Sequence, residues 1–174
     1  MLTLHDPDER FQAAFLVAAG DYVRSGETKS VHRYERALGD FAGYLRSLRD
    51  GALGVGPRAG QVPQSCFWLI EDQARLVGVS RLRPRLTPDL ELDGGNIGYD
   101  VPPAERRKGY GTELLRLTLA RARAAGLSRA LLTVEPANIA SIKIIERNGG
   151  RLEPEPRIGS PGVTKARYVI DLPA

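Results

Sequence analysis

Residues 106–112 constrain the fold of this chain more than any other part of its sequence. They read Arg-Arg-Lys-Gly-Tyr-Gly-Thr and lie between a strand-like run at residues 97–101 and a helix-like run at residues 113–125. The first turn of a helix leaves about four backbone N–H groups unpaired and carries roughly half a positive charge. Phosphate binds well against such backbone. The pattern therefore predicts a strand, a phosphate-binding loop and a helix in succession.

Glycines and basic residues together suit this loop to an anion. Gly109 and Gly111 allow a sharp turn and a close approach of the ligand, and three cations precede the second glycine. The residues that we expect at the phosphate are Arg106, Arg107, Lys108, Gly109, Tyr110, Gly111 and Thr112.

Two common nucleotide-binding motifs do not match this loop. A P-loop has Lys followed by Ser or Thr directly after its second glycine, whereas Thr112 and Glu113 follow Gly111 here. A dinucleotide fingerprint needs a third glycine, where this chain has Leu114, and it lies on the first strand of its fold. A plain structural turn with two glycines remains the simplest alternative.

The composition predicts a single soluble domain spanning residues 1–174. The chain is 42% hydrophobic and 26% charged, and it contains no apolar run long enough to cross a bilayer. Its first residues lack the pattern of a signal peptide. Cys66 is the only cysteine, which excludes an intrachain disulfide and fits a reducing cytoplasm. With only Cys66, His5 and His32 available, we expect no zinc site.

The net charge of +4 raises the question of nucleic acid. The arginines are, however, spread along the chain and alternate with acids, as at residues 46–50. We therefore expect neither a nucleic-acid partner nor a membrane partner.

Apolar periodicity predicts an α/β fold. The predicted helices are residues 8–19 (ended by Gly20), 34–48, 113–125 and 138–147. The predicted strands are residues 2–4, 65–71, 75–82, 97–101, 129–135, 151–153 and 165–172, with loops at 51–62, 84–95 and 154–164. Antiparallel strands thus precede a strand–helix–strand–helix–strand order, which gives a mixed sheet with a parallel segment in its middle.

In this order of elements the chain resembles the GNAT superfamily of acyl-CoA-dependent N-acetyltransferases. The family signature is Arg or Gln, two variable residues, Gly, one variable residue and then Gly or Ala. Arg106, Gly109 and Gly111 fill those places. The resemblance covers residues 65–172 and extends more loosely to the N-terminal helices.

A second match to the family begins at Asn138 and Ser141 and continues into the Asn-Gly-Gly of residues 148–150. This ending resembles a bacterial group of the family. The resemblance implies a mostly antiparallel central sheet with parallel, splayed middle strands and flanking helices. It also leaves a homodimer open, because dimers are common in the family.

The resemblance implies acetyl-CoA as the acyl donor and no metal. Coenzyme A carries a pyrophosphate, which suits the loop, and its pantetheine arm has amides that pair with a strand edge. The expected contacts of that arm are Tyr99, Asp100, Val101, Asn138 and Ser141. Pro102 and Pro103 support this edge because they lack N–H groups and stop sheet pairing.

The implied reaction is direct attack of a primary amine, of a small molecule or a peptide, on the thioester. Presenting a neutral amine at pH 7 costs about 4 kcal/mol, so a base or a water relay must remove a proton. The candidate bases are Asp93, Glu91, Asp100 and Glu135. Glu135 and Asp93 are the two that we favour, because they flank the expected splay.

The acid that protonates the leaving thiolate departs from the family pattern. Many relatives have a tyrosine seven residues after the Asn, where this chain has Ile145. Ser141, Tyr99 and Tyr110 are the candidate replacements, and the thiolate can also leave unaided. This departure keeps a second function open, a catalytically silent regulator that binds acyl-CoA.

Overall fold

Two antiparallel sheets form the centre of the fold in the computed structural model, which describes residues 1–55, 62–154 and 165–173. The first sheet has the order β1-β2-β3-β4, with β1 at Leu2–His5, β2 at Ser65–Glu71, β3 at Arg75–Leu82 and β4 at Ile97–Asp100. The second has the order β5-β7-β6, with β5 at Arg129–Val134, β6 at Arg151–Leu152 and β7 at Ala166–Asp171.

The helices were predicted from the sequence less accurately than the strands. The six α-helices of the described ranges are α1 (Gln12–Ser25), α2 (Thr28–Gly39), α3 (Phe41–Leu53), α4 (Pro88–Leu92), α5 (Tyr110–Ala124) and α6 (Ile139–Arg147). The predicted bounds of β2 and β3 are confirmed. So is α6, because the Asn138 side chain accepts a hydrogen bond from the Ser141 N–H at 3.1 Å.

Each face of the first sheet has its own helical layer. Trp68 and Ile70 point from β2 toward α1–α3, whereas Leu69 and Val77 contact Tyr110 and the rest of α5 on the opposite face. Successive strand residues point to opposite faces. Because β2 is apolar from Cys66 to Ile70, it is buried on both sides. The second sheet packs one face on α5 and α6.

The prediction of one helix at residues 34–48 is wrong. The helix is interrupted at Asp40, whose backbone is not helical (φ −147°, ψ 82°) and whose carboxylate accepts the Gly43 N–H at 2.8 Å. This cap starts α3 while α2 ends at Gly39. Apolar spacing continues across the break because both helices pack on the same face of the sheet, so the periodicity does not show it.

Glycine did not end the first helix where it was predicted to. A short 3₁₀ turn capped by Asp8 leads into α1, which runs through Gly20 to Ser25. It stops at Gly26, whose φ of 70° is left-handed. The extra turn buries Tyr22. Similarly, α3 continues past the predicted loop start at Gly51, and the predicted loop at 84–95 contains α4.

The strands β4 and β5 meet only where both begin. The Asn96 N–H donates to the Leu131 carbonyl oxygen at 2.7 Å, and the Asn96 side-chain oxygen accepts the Leu131 N–H at 2.8 Å. Within the described ranges the two strands form no ladder, and every ladder is antiparallel. A parallel, splayed arrangement of the middle strands therefore stays a prediction. The predicted loop at 154–164 lies outside the described residues, except for Pro154.

Candidate active site

The predicted phosphate loop presents a run of unpaired backbone N–H groups at the start of α5. In the described part of the chain, the N–H groups of residues 107–111 donate to no protein acceptor, whereas the Thr112 N–H is bonded to the Gly109 oxygen at 3.1 Å. Arg107 and Gly109 both have positive φ, 62° and 87°. Such left-handed positions fold successive N–H groups into a concave anion site.

The two glycines of the loop serve different purposes. A Cβ on Gly109 would meet nothing within 4 Å, so the space above it is open to a ligand. A Cβ on Gly111 would lie 2.6 Å from the Ile144 Cδ1 atom. Gly111 therefore lets α5 and α6 pack closely, and its predicted role in the close approach of a ligand stays a prediction.

The cations of the loop are less available than the sequence suggested. Arg106 forms two hydrogen bonds to the Glu27 carboxylate, at 2.6 and 2.8 Å, and a third to the Val101 carbonyl oxygen. Lys108 pairs with Glu105 at 3.0 Å. Arg107 has no ion pair within the described residues, so it adds the largest uncompensated charge to the loop.

An unpaired strand edge lies next to this loop. The Arg83 N–H donates to the Asn96 oxygen at 2.8 Å, and Ser80 is paired with Tyr99. Because hydrogen-bonded and non-hydrogen-bonded pairs alternate in an antiparallel ladder, the Tyr99 N–H and C=O point away from β3. They face the gap toward β5, where no ladder covers them in the described ranges.

Tyr99 also connects this edge to α6. Its hydroxyl lies 2.8 Å from the Ser141 Oγ atom and 3.3 Å from the Ser141 carbonyl oxygen. Burial raises the pKa of Tyr99 to about 12, although the hydrogen bond to Ser141 opposes the shift. The phenol is therefore protonated at neutral pH and can donate a proton.

Two other predicted positions are engaged elsewhere. Ile145 is 1% exposed and packs in the core between α5, α6 and the second sheet. The Tyr110 hydroxyl donates to Glu71 at 2.8 Å, and this bond raises the pKa of Tyr110. This hydrogen bond lies beside the turn between β2 and β3, where Arg75 also pairs with Glu71. Tyr110 is thus occupied by a surface ion pair.

The two favoured base candidates share one lysine. The Lys165 Nζ atom lies 3.1 Å from Glu135 and 3.8 Å from Asp93. Both carboxylates are about half exposed, at 50% and 51%, whereas the Lys165 side chain is only 11% exposed. The structure therefore brings Asp93 and Glu135 together around one buried cation. In contrast, the backbone oxygen of Glu91 accepts a hydrogen bond from Arg167.

Asp100 is not available as a base. Its carboxylate accepts hydrogen bonds from Arg81 at 2.8 Å, from Arg33 at 2.6 Å and from the Tyr34 hydroxyl. Burial alone would raise the pKa of Asp100, but Arg81 and Arg33 outweigh it and hold the pKa below its usual range. This network was missed in the sequence. Its signal was Arg81, a charged residue between Ser80 and Leu82 in a strand of buried residues.

A comparison with protein-family models identifies the family of this chain. The model of the acetyltransferase (GNAT) family matches residues 57–150, which is more than half of the chain. The chain belongs to the GNAT acetyltransferase family. A comparison with curated protein sequences finds no match.

Solved structures share the fold of this GNAT chain. Mycobacterium smegmatis RimJ in complex with CoA-disulfide has a TM-score of 0.70 at 20% identity over 98% of this chain and 81% of that one. The yncA protein of Salmonella typhimurium with acetyl-CoA gives 0.60 at 17% identity, over 98% and 94%. Spermidine N-acetyltransferase of Vibrio cholerae with CoA and spermine gives 0.57 at 15%, over 98% and 95%.

No helix in the described residues of this GNAT chain is long and apolar enough to span a membrane. Nor do these ranges contain three or more His, Cys, Asp or Glu side chains grouped to hold a metal ion.

Proposed function

We propose that this chain transfers the acetyl group of acetyl-CoA to a primary amine. One observation carries the proposal: the unpaired N–H groups of residues 107–111 lie beside the unpaired edge at Tyr99. A pyrophosphate needs the first feature and a chain of amides needs the second. Coenzyme A has both in one molecule, and in the proposed complex its pyrophosphate lies over Gly109.

The donor-binding residues of the proposal are the predicted ones, with their roles refined. Backbone from Arg107 to Gly111 holds the pyrophosphate, and Arg107 adds charge. The backbone of Tyr99 and Val101 pairs with the pantetheine amides. Asn138 orders the first turn of α6 next to that arm.

The proposed base is Glu135, with Asp93 beside it. The carboxylate first takes a proton from the ammonium, so that the neutral amine can attack the thioester carbon. The C–S bond then breaks, and the new amide nitrogen loses its second proton to water. The position of Glu135 directly after β5, on the gap between β5 and β4, supports this role. Lys165 lies between the two carboxylates, 3.1 Å from Glu135 and 3.8 Å from Asp93, and holds them in position at the gap.

The proposed acid is the hydrogen-bonded pair of Tyr99 and Ser141. The leaving thiolate takes a proton from this pair, which replaces the tyrosine that relatives have at position 145. Support comes from the 2.8 Å contact between the two hydroxyl groups, along which a proton can pass. A thioester oxygen that gains charge has the Val101 N–H within the same strand edge.

Thiol release from acetyl-CoA with a panel of amines, together with calorimetry of acetyl-CoA binding, tests the function. We expect binding of acetyl-CoA and amine-dependent release. Gly109→Val places a side chain in the open space over the loop and in a strained left-handed backbone, so it should weaken binding. Gly126→Val is a matched control at the other end of α5, because a Cβ there also meets nothing within 4 Å and the backbone has the same φ of 87°.

Binding without release for every amine would instead favour the silent regulator. Retention on DNA at low salt, lost at high salt, would favour a nucleic-acid module. The proposed function requires neither result.

A further inference from the structure

The face of the sheets that carries the base candidates also carries a group of arginines. Val79 of β3 packs against α1–α3, so Arg81 and Arg83, at alternate positions, point to the same side. The Arg81 guanidinium lies over Gly98 of β4, 3.6 Å from where a Cβ would be. Arg33 of α2 belongs to the same group, because it pairs with Asp100 as Arg81 does.

Arg83 connects this arginine group to the other end of the gap. Its guanidinium donates to the carbonyl oxygens of Gly94 and Gly95, at 3.4 and 3.1 Å. The Gly94 N–H in turn donates to the Thr133 hydroxyl of β5 at 2.8 Å. The arginines and the carboxylates Asp93 and Glu135 therefore lie on one continuous face.

Charge is unevenly distributed on this face. Arg33, Arg81 and Arg83 have a single ion-paired carboxylate among the described residues, Asp100, which leaves two positive charges. Arg83 has only carbonyl partners, and burial together with the charges of Arg81 and Arg33 lowers its pKa. At the other end of this face, the half-exposed carboxylates of Asp93 and Glu135 lie beside Lys165.

A half-buried guanidinium without a carboxylate is costly unless a ligand compensates it. Arg33 is 41% exposed, so its outer edge is accessible to a ligand while Asp100 holds its inner edge. The planar donors of arginine fit carboxylate and phosphate groups in pairs. The arginines at β3 therefore suit an acceptor that carries an anionic group besides its amine.

On the basis of the proposed function, we propose that the acceptor is a small primary amine that also carries a carboxylate or a phosphate. Arg33 and Arg83 bind its anionic group, and Asp93 and Glu135 receive its ammonium. These arginines are specificity-determining residues. A polyamine, which has only positive groups, is a poor acceptor on this face.

Pairs of acceptors that differ only in the anion test the proposal. The carboxylate pairs are tyrosine with tyramine, histidine with histamine and lysine with cadaverine, and the phosphate pair is phosphoethanolamine with ethanolamine. We expect kcat/KM, measured by thiol release, to be about tenfold or more higher for the anionic member of a pair than for the plain amine. This is the factor that one hydrogen bond to a charged group contributes. The two kinds of pair distinguish a carboxylate from a phosphate.

Substitutions assign the preference to the arginines. Arg83→Gln, which keeps donors for the glycine carbonyls, should raise KM for the anionic acceptor about tenfold and change the plain amine less than about twofold. Arg33→Gln should act in the same direction, at a side chain that is 41% exposed. The matched control is Arg85→Gln, an exposed arginine outside the group.

The outcomes separate the two proposals. Thiol release with equal or better use of the plain amines overturns the specificity and leaves the acetyltransferase intact. An anion preference that survives both arginine substitutions also overturns the assignment. No release with any pair, despite bound acetyl-CoA, overturns the proposed function and the specificity with it.

Discussion

The proposed donor side of the gap between β4 and β5 is built from different chemical groups than the proposed acceptor side. On the donor side, residues 107–111 and the Tyr99 edge offer backbone N–H groups from one short stretch of chain. On the acceptor side, charged side chains come from α2, β3, β4, the loop before β4 and the ends of β5 and β7. The first is local in sequence and the second is assembled by the fold.

This difference teaches which changes each side tolerates. Backbone groups persist when most side chains are replaced, so a donor site of this kind suits a ligand that never changes. A set of side chains from distant elements can be altered one residue at a time. The acceptor side is therefore the place where specificity can vary while the donor stays the same.

The acceptor side should be the more damaging place to remove a charge. Asp100→Asn leaves the buried Arg81 without its counter-charge, which costs about 3–5 kcal/mol of unfolding free energy. Urea unfolding measures this loss. Lys108→Gln, at a half-exposed side chain on the donor side, is the control and should change stability by less than about 1 kcal/mol. Equal losses in both variants would contradict the distinction.

The same carboxylate predicts a pH dependence of stability. The pKa of Asp100 is lower in the folded protein than its unfolded value of about 3.9. Its stabilising contribution is thus complete well above pH 4 and is lost as the pH falls through the folded-state pKa. Unfolding free energy measured from pH 6 downward should fall less steeply in Asp100→Asn. Parallel curves would rule this contribution out.

Glu135→Gln should slow the reaction by about 100-fold without unfolding the protein, because proton transfer typically contributes at least that much. The acidic limb of the kcat/KM profile should also move. Thiol release from pH 5 to pH 9 measures both. An unchanged pH–rate curve removes Glu135 as the base, and Asp93→Asn then tests the neighbouring carboxylate.

Tyr99 lies on the boundary between the two sides, and its substitution should have a smaller effect. Tyr99→Phe should lower kcat about tenfold, because a thiolate is a good leaving group and needs less help than the usual 100-fold. Ser141→Ala is the comparison, since it removes the hydrogen-bond partner and keeps the phenol. If Tyr99→Phe retains full kcat in single-turnover assays, the thiolate leaves unaided.

The smallest effect is expected on the donor side. Asn138→Asp keeps the cap of α6, since Asp caps a helix as well as Asn does. The loss of the side-chain amide donor beside the pantetheine arm should weaken acetyl-CoA binding about fivefold, the effect of one hydrogen bond of ~1 kcal/mol. Calorimetry measures it. Unchanged affinity would restrict Asn138 to its capping role.

The sequence predicted the local features of this protein and missed those that depend on distant partners. The phosphate loop, β2, β3 and the Asn138 cap each depend on neighbouring residues, and their bounds are close to the predicted ones. The cap by Asp40 was missed because helical spacing runs through it. Site roles, the single domain, dimerisation and a cytoplasmic location stay predictions.

Distance along the chain explains the missed ion pairs. Arg81 and Asp100 are 19 residues apart, and Arg106 and Glu27 are 79 apart. No periodic pattern in either segment indicates its partner. A charged residue on an otherwise buried strand, such as Arg81, shows that a partner exists without showing which one.

The ion pair between Arg106 and Glu27 fastens the loop before α5 to the turn that starts α2. Arg33 and Tyr34 project from that same helix toward Asp100, one residue before the Val101 oxygen that Arg106 also holds. The two substrates of a transfer reaction would thus both bind next to this one hydrogen-bonded network. In thermodynamic terms their affinities are linked, and we expect each to change by the same factor when the other is bound.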